Sequence, residues 1–218
     1  SFFLKWNKGY WKKLLQNFQH IFVQHQQSLI ALESLGITTP VSVSRDTRFD
    51  RVFKITANAA PVNGIVNFLK KKPCVVAGST WHHDEQVLQA FFKNNDSVKL
   101  IIAPHEIHVA NVKRISKLFQ GSILYSDWTG SDQLEDYRVL IIDNIGLLSH
   151  LYQYACIAYV GGAFRKKGLH NILEPIAYGI PVVFGPNYKS FPEAKDCIQL
   201  NAGISIQNET SLCDTLSI

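Results

Sequence analysis

No methionine occurs in these 218 residues, and the first is Ser1, so the chain reads as a piece of a longer protein. No apolar run approaches the roughly 20 residues that a helix needs to cross a membrane, and no secretory signal is visible. Only four cysteines are present, Cys74, Cys156, Cys197 and Cys213, none in C-x-x-C spacing. Cys74 and Cys156 fall in apolar, strand-like runs, which fits buried reduced thiols of a cytosolic protein better than a disulfide framework. There is no P-loop, no Ser–His–Asp order and no paired acidic motif. His82-His83 and His105-x-x-His108 suggest a metal, but their spacing is not H-E-x-x-H and no third ligand accompanies them; no metal is expected. Nothing resembles a base that would deprotonate a hydroxyl, so no catalytic residue is expected in this chain.

What is present is an ordinary globular balance: 46% hydrophobic and 18% charged residues, enough to bury a real core. The net charge of +5 is unevenly placed. Residues 1–54 hold eight Lys/Arg against three Asp/Glu, and the remainder is neutral. A nucleic-acid domain with a continuous basic face is therefore not indicated; a local basic patch is. Residues 1–19 interleave aromatics with lysines, which suits either contact with an anionic membrane surface or a helix packed on another domain. The sequon Asn208-Glu209-Thr210 carries no meaning in a cytosolic protein.

Short apolar runs alternate with helical patterns through most of the chain. Strands are expected near 21–23, 41–43, 74–77, 98–103, 123–125, 139–142, 156–160, 182–184 and 204–206. Helices are expected over 26–35, up to 70, over 84–92, 109–119, up to about 154, and over 172–178. This pattern predicts a doubly wound, Rossmann-like parallel sheet covered on both faces. Ligands of such sheets bind beyond the carboxyl ends of the strands. Gly78-Ser79-Thr80, Pro104-His105-Glu106, Asp143-Asn144-Ile145-Gly146 and Gly161-Gly162 all follow strands directly, so they converge on one edge. Residues 44–51, with three arginines, read as a solvated turn.

The densest signal is the stretch 159–175, a glycine-rich basic loop between a strand and a helix. Gly161 and Gly162 let backbone approach a ligand closely and permit positive φ where the loop turns. The N–H groups opening the following helix suit a phosphate. Asn171 and Glu174 three residues later also form a capping box that needs no ligand, and Pro175 fits a first turn. Both roles can coexist. Arg165, Lys166 and Lys167 fit either an anion site or a solvated loop.

The string Gly161-Gly162, Gly168, His170-Asn171 and Leu173-Glu174-Pro175, then Gly179-Ile180-Pro181-Val182 and Gly185-Pro186-Asn187, closely resembles the nucleotide-sugar loop of bacterial 3-deoxy-D-manno-octulosonic acid (Kdo) transferases. These are GT-B glycosyltransferases that add Kdo to lipid A precursors. Asp46-Thr47-Arg48-Phe49-Asp50-Arg51, Ala77-Gly78-Ser79-Thr80-Trp81, Ala103-Pro104-His105-Glu106 and Asp143-Asn144-Ile145-Gly146 match in the same order. The resemblance covers nearly the whole chain but not a whole enzyme, because the amino-terminal half with the family's catalytic carboxylate is not in it. It implies that residues 1–54 are the tail of the amino-terminal, acceptor-side domain and linker, and 55–218 the carboxyl-terminal donor domain. Arg45 stands where the family usually has a glycine.

The resemblance further implies an inverting, metal-independent transfer of Kdo from CMP-Kdo to a lipid A precursor, in lipopolysaccharide biosynthesis at the cytoplasmic face of the inner membrane. CMP-Kdo is the donor and no cofactor is expected. Donor-binding roles are implied for Ser79, Thr80, His105, Ile145, Gly146, Gly161, Gly162, His170, Asn171 and Glu174. Glu174 would accept the ribose hydroxyls, Ile145 and Gly146 would meet the cytosine through backbone, and Asn171 would face the phosphate. Alternatives are a GT-B enzyme using a UDP- or GDP-sugar, a related epimerase, or a non-catalytic nucleotide-binding or lipid-surface module.

Overall fold

The computed structural model describes residues 7–44, 47–93, 95–128, 136–166 and 168–216. It divides into two compact units, Ser1–Arg51 and Val52–Ile218. In the first, α1 (Lys8–Leu15) precedes β1 (Ile21–Val23), α2 (Gln26–Ser34) and β2 (Val41–Val43). The two strands pair in parallel, with Ile21 opposite Val41 and Val23 opposite Val43. Gly36, at φ 68°, turns the chain out of α2. Within the lysine–aromatic segment, α1 is helical, with Tyr10 and Leu14 exposed; the first six residues lie outside the described residues, as does Arg45.

Where a turn was expected over residues 44–51, the described part from Thr47 onward is helical, opening α3 (Thr47–Ala57), within which the unit boundary falls. Asp50 sits in its first turn and Lys54 in its last, the placement the helix dipole favours. Arginines spaced along 45–51 read as a solvated surface in either state, which is why the sequence did not separate helix from turn.

The second unit runs α4 (Ile65–Leu69), β3 (Cys74–Thr80), α5 (His82–Lys93), β4 (Lys99–Pro104), α6 (Val109–Leu118), β5 (Ser122–Leu124), β6 (Val139–Ile141), α7 (Leu148–Leu151) with a 3-10 turn at Tyr152–Tyr154, β7 (Ile157–Val160), α8 (Leu173–Ala177), β8 (Val182–Phe184), α9 (Pro192–Gln199), β9 (Gly203–Ser205) and α10 (Glu209–Leu216). Its seven strands pair in parallel in the order β5-β6-β4-β3-β7-β8-β9. Alternate residues of each strand feed opposite faces. Val76, Ile101, Leu140, Ala158 and Val160 pack into one core with α4, Tyr152 and α9. Val75, Ala77, Leu100, Ile102, Ile141 and Tyr159 pack into another with α5, α6 and α10. Burial on both faces explains why these strands read as unbroken apolar runs.

The chain moves one way from β3 to β4 and then crosses back to place β7 on the other side of β3. The strand order therefore reverses between β3 and β7, where open α/β sheets hold their ligands. Two helices, α9 and α10, were not legible as apolar periodicity. Their signals are local: Pro192 opens α9, and Asn208 Oδ1 accepts the Ser211 N–H at 3.0 Å to cap α10. The Asn208-Glu209-Thr210 sequon is thus a helix start. Helix α8 has five residues, shorter at both ends than the predicted 172–178.

Candidate functional site

The site is built where β3 and β7 end. β3 runs on through Gly78 and Thr80 with a bulge between them, and Ser79 takes the left-handed conformation, φ 53°. A non-glycine residue pays for that conformation with strain. The bulge turns the Thr80 hydroxyl inward, where it donates to Glu85 Oε1 at 3.1 Å, leaving Thr80 1% exposed. Half-buried Ser79 is the member of the pair with its hydroxyl not used in this way. Gly78 faces Tyr152, whose hydroxyl would lie 2.1 Å from a Cβ there, and the Leu148 methyls at 2.9 Å.

The glycine pair after β7 serves the protein's own packing first. A Cβ on Gly161 would meet Ser79 O at 2.4 Å and Thr80 Cα at 2.7 Å. Its N–H donates to Gly78 O at 2.9 Å, carrying the β3–β7 ladder to the edge of the site. Gly162 sits at φ 94°, and a Cβ there would meet His170 and Gly168. Its N–H is taken by Asp84 Oδ2 at 3.0 Å. These glycines were expected to let backbone approach a ligand; what they approach here is the protein's own β3 turn and returning loop.

That loop carries Arg165 back over the indole of Trp81, guanidinium carbon 3.5 Å from the ring centre. Trp81 stacks in turn on His105 at 4.6 Å, and His105 on His170 at 4.5 Å. The Trp81 Nε1–H donates to His170 Nε2 at 2.9 Å. Four side chains from the ends of β3, β4 and β7 thus form one layered cluster. Burial, then the neighbouring His105 and Arg165, hold the His170 imidazole below its ordinary pKa. Phe164 stacks on His83 at 4.5 Å, and Asn187 N donates to Ala163 O at 2.9 Å, so the loop is pinned on both sides.

Beneath the cluster lie two buried acids, Asp84 and Glu85, each 0% exposed. Asp84 accepts from Trp81 N, Gly162 N and the Tyr159 hydroxyl. Burial pushes its carboxyl above the ordinary range, and the Gly162, Tyr159 and Trp81 donors oppose that shift. Glu85 takes the Thr80 hydroxyl and an ion pair with Arg114, which also bonds Asn111 and His82. Neither acid was singled out from the sequence, because Asp-Glu in a first helical turn is the pattern of an exposed helix start. The legible signal was spacing: Asp84 lies three residues after Trp81, the reach of a reciprocal cap. Trp81 stood inside a matched block without a role of its own.

Asn171 and Glu174 come together at the start of α8. Asn171 Oδ1 accepts the Leu173 N–H at 3.1 Å, and its amide donates to Glu174 Oε1 at 3.1 Å. The expected capping box does not form: Ile172, not Asn171, is the N-cap residue, and Asn171 instead bonds Leu173 N and the Glu174 side chain. The Glu174 charge raises the pKa of Tyr152, chiefly raised by burial, and of Tyr178 in the same way. Ile145, 88% exposed, and Gly146, at φ 99°, occupy the turn after β6. Asp143 fixes that turn by accepting from both the N–H and the hydroxyl of Ser126.

Among the described residues no three His, Cys, Asp or Glu side chains converge as a metal set. His108 caps α6 by accepting the Asn111 N–H. Among the described residues no helix is long and apolar enough to cross a membrane.

No family model matches the chain. The 3-deoxy-D-manno-octulosonic acid transferase of Rickettsia prowazekii is 27% identical over 216 residues, 96% of this chain and 46% of its own length. The transferase of that name from Aquifex aeolicus is 32% identical over 148 residues, 66% of this chain and 40% of its own. The structure of the C-terminal CMP-Kdo binding domain of WaaA from Acinetobacter baumannii matches with TM-score 0.60 at 26% identity, over 76% of this chain and 87% of that one. These matches support reading the chain as a fragment of a Kdo transferase.

The architecture is that of a GT-B glycosyltransferase domain. A UDP-N-acetylglucosamine 2-epimerase, 10% identical with TM-score 0.59, shares the fold alone. The chain spans less than half the length of the Rickettsia and Aquifex proteins it matches.

Proposed function

We propose that the whole protein transfers Kdo from CMP-Kdo to a hydroxyl of a lipid A precursor, in lipopolysaccharide biosynthesis, and that residues 52–218 hold the donor. The observation that carries this reading is the cluster at the β3–β7 switch point, which sets Arg165 and two imidazoles beside a glycine loop. The likeness to a CMP-Kdo binding domain supports the same assignment. Ser79, His105, His170, Asn171 and the loop 161–165 meet the phosphate; Thr80, Gly161 and Gly162 shape the turn that presents them. Glu174 accepts the ribose hydroxyls, and the backbone of Ile145 and Gly146 meets the cytosine.

In the reaction, the acceptor oxygen bonds to the anomeric carbon as the bond to CMP breaks, with inversion. CMP leaves with the bonding pair, and its charge is met by the Arg165 guanidinium held at the switch point. The acceptor proton goes to a carboxylate outside this chain. No cofactor takes part. Residues 1–19, with Tyr10 and Leu14 exposed on α1, would let the protein rest on the cytoplasmic face of the inner membrane, where the acceptor lies.

The test is transfer itself. CMP-Kdo and a lipid A precursor, incubated with the complete protein and separately with this 218-residue chain, are expected to give Kdo-lipid and CMP only with the complete protein. Transfer by the chain alone would place a base within it and overturn the division of labour. Transfer by the complete protein from a UDP- or GDP-sugar, and not from CMP-Kdo, would overturn the substrate.

A further inference from the structure

Asp84 is fully buried, so it cannot touch a ligand, yet it joins three segments that frame the site. Its Oδ1 accepts the Tyr159 hydroxyl of β7 at 2.8 Å. Its Oδ2 accepts both the Trp81 N–H ahead of α5, at 2.9 Å, and the Gly162 N–H of the glycine loop, at 3.0 Å. The β3–β7 ladder ends here, and one carboxylate bonds the segments that follow each strand. A helix cap accounts for the Trp81 bond alone. It does not call for Gly162 or Tyr159, and the β3–β7 ladder already pairs the strands from Val75 opposite Ile157 to Gly78 opposite Val160.

The two amides held by Oδ2 belong to the two segments that meet above it. Trp81 supplies the indole of the layered cluster, and the loop from Gly162 supplies Arg165 over its ring and His170 as acceptor of its N–H. We infer that Asp84 is a positioning residue of the donor site: it sets the β3 turn against the glycine loop, and through them the spacing of Arg165, Trp81 and His170. Its functional meaning rests on the donor-site reading; its geometry does not.

The test reads a proton that Asp84 does not touch, the Trp81 indole Nε1–H, by hydrogen exchange on the isotope-labelled chain. A purely local cap leaves that proton as it is. With Asp84→Ala, exchange is expected to rise by about tenfold or more, the scale of losing hydrogen bonds to a charged group. Asp84→Asn keeps an oxygen for the two amides and gives a smaller rise, as does Tyr159→Phe, which removes one donor. Unchanged indole exchange in Asp84→Asn and Tyr159→Phe, the variants that keep the core filled, overturns the inference even where Asp84→Ala fails to fold. CMP titration of the same variants separates the two claims. Faster indole exchange with weaker CMP binding in the same order supports both. Faster exchange in a chain whose unaltered form binds no CMP supports the positioning role and contradicts the donor reading.

Discussion

The Trp81 indole N–H donates to Nε2 of His170 at 2.9 Å, joining residues 89 positions apart at the ends of neighbouring strands. A nitrogen that accepts cannot carry a proton, so neutral His170 is held with its proton on Nδ1. The bond therefore links the protonation of His170 to the layering of Trp81 between Arg165 and His105.

Acid should weaken the fold through this residue. Burial, His105 and Arg165 lower the folded pKa of His170 below the ordinary 6.5. Below 6.5 the unfolded chain takes up a proton more readily than the folded one. The contribution of neutral His170 is complete above 6.5 and is lost as pH falls through the lowered folded value. His170→Gln, which keeps an acceptor for the indole, should show a flatter fall in stability between about pH 7 and pH 5. Chemical denaturation of both proteins across that range checks it; parallel curves would contradict it.

Gly161 is set by space, not by φ. Alanine would place Cβ 2.4 Å from Ser79 O and 2.7 Å from Thr80 Cα, both backbone atoms that cannot swing aside. Gly161→Ala should cost about 1–3 kcal/mol and displace the Ser79 turn. Urea denaturation gives the cost, and the Ser79 and Thr80 amide shifts give the displacement.

Glu85 depends on Arg114. Its side chain is 0% exposed while that of Arg114 is 32% exposed, so removing the arginine strands a charge inside the protein. Arg114→Leu should destabilise by about 3 kcal/mol. Glu85→Gln made in the same chain should recover part of that loss, since the amide oxygen still accepts the Thr80 hydroxyl. A double-mutant cycle in urea measures the coupling; additive losses would mean that the pair contributes nothing.

The sequence displayed the sheet well because its strands are buried on both faces and read as apolar runs. It showed where the loops after β3, β4, β6 and β7 converge, since each carries glycine or polar residues just past a strand. Asp84 and Glu85 were hidden: acids in a first helical turn look solvated until the sheet beneath them is known. Helix α3 was hidden because arginines suit a turn surface equally well, and α9 and α10 because their marks are caps, not long periodic faces. Thr80 stood out as a hydroxyl after a strand, but only the bulge at Ser79 decides that it turns inward to Glu85.

The most direct measurement is a calorimetric titration of this chain with CMP, with UMP and UDP beside it, repeated on Glu174→Ala. Glu174 lies at the start of α8 with Asn171 bonded to it, and the proposal has it accept two ribose hydroxyls. The account predicts saturable binding that favours CMP and weakens by about tenfold or more in Glu174→Ala, the scale of a lost charge-assisted hydrogen-bond pair. A preference for UDP, or CMP binding indifferent to Glu174, would contradict it.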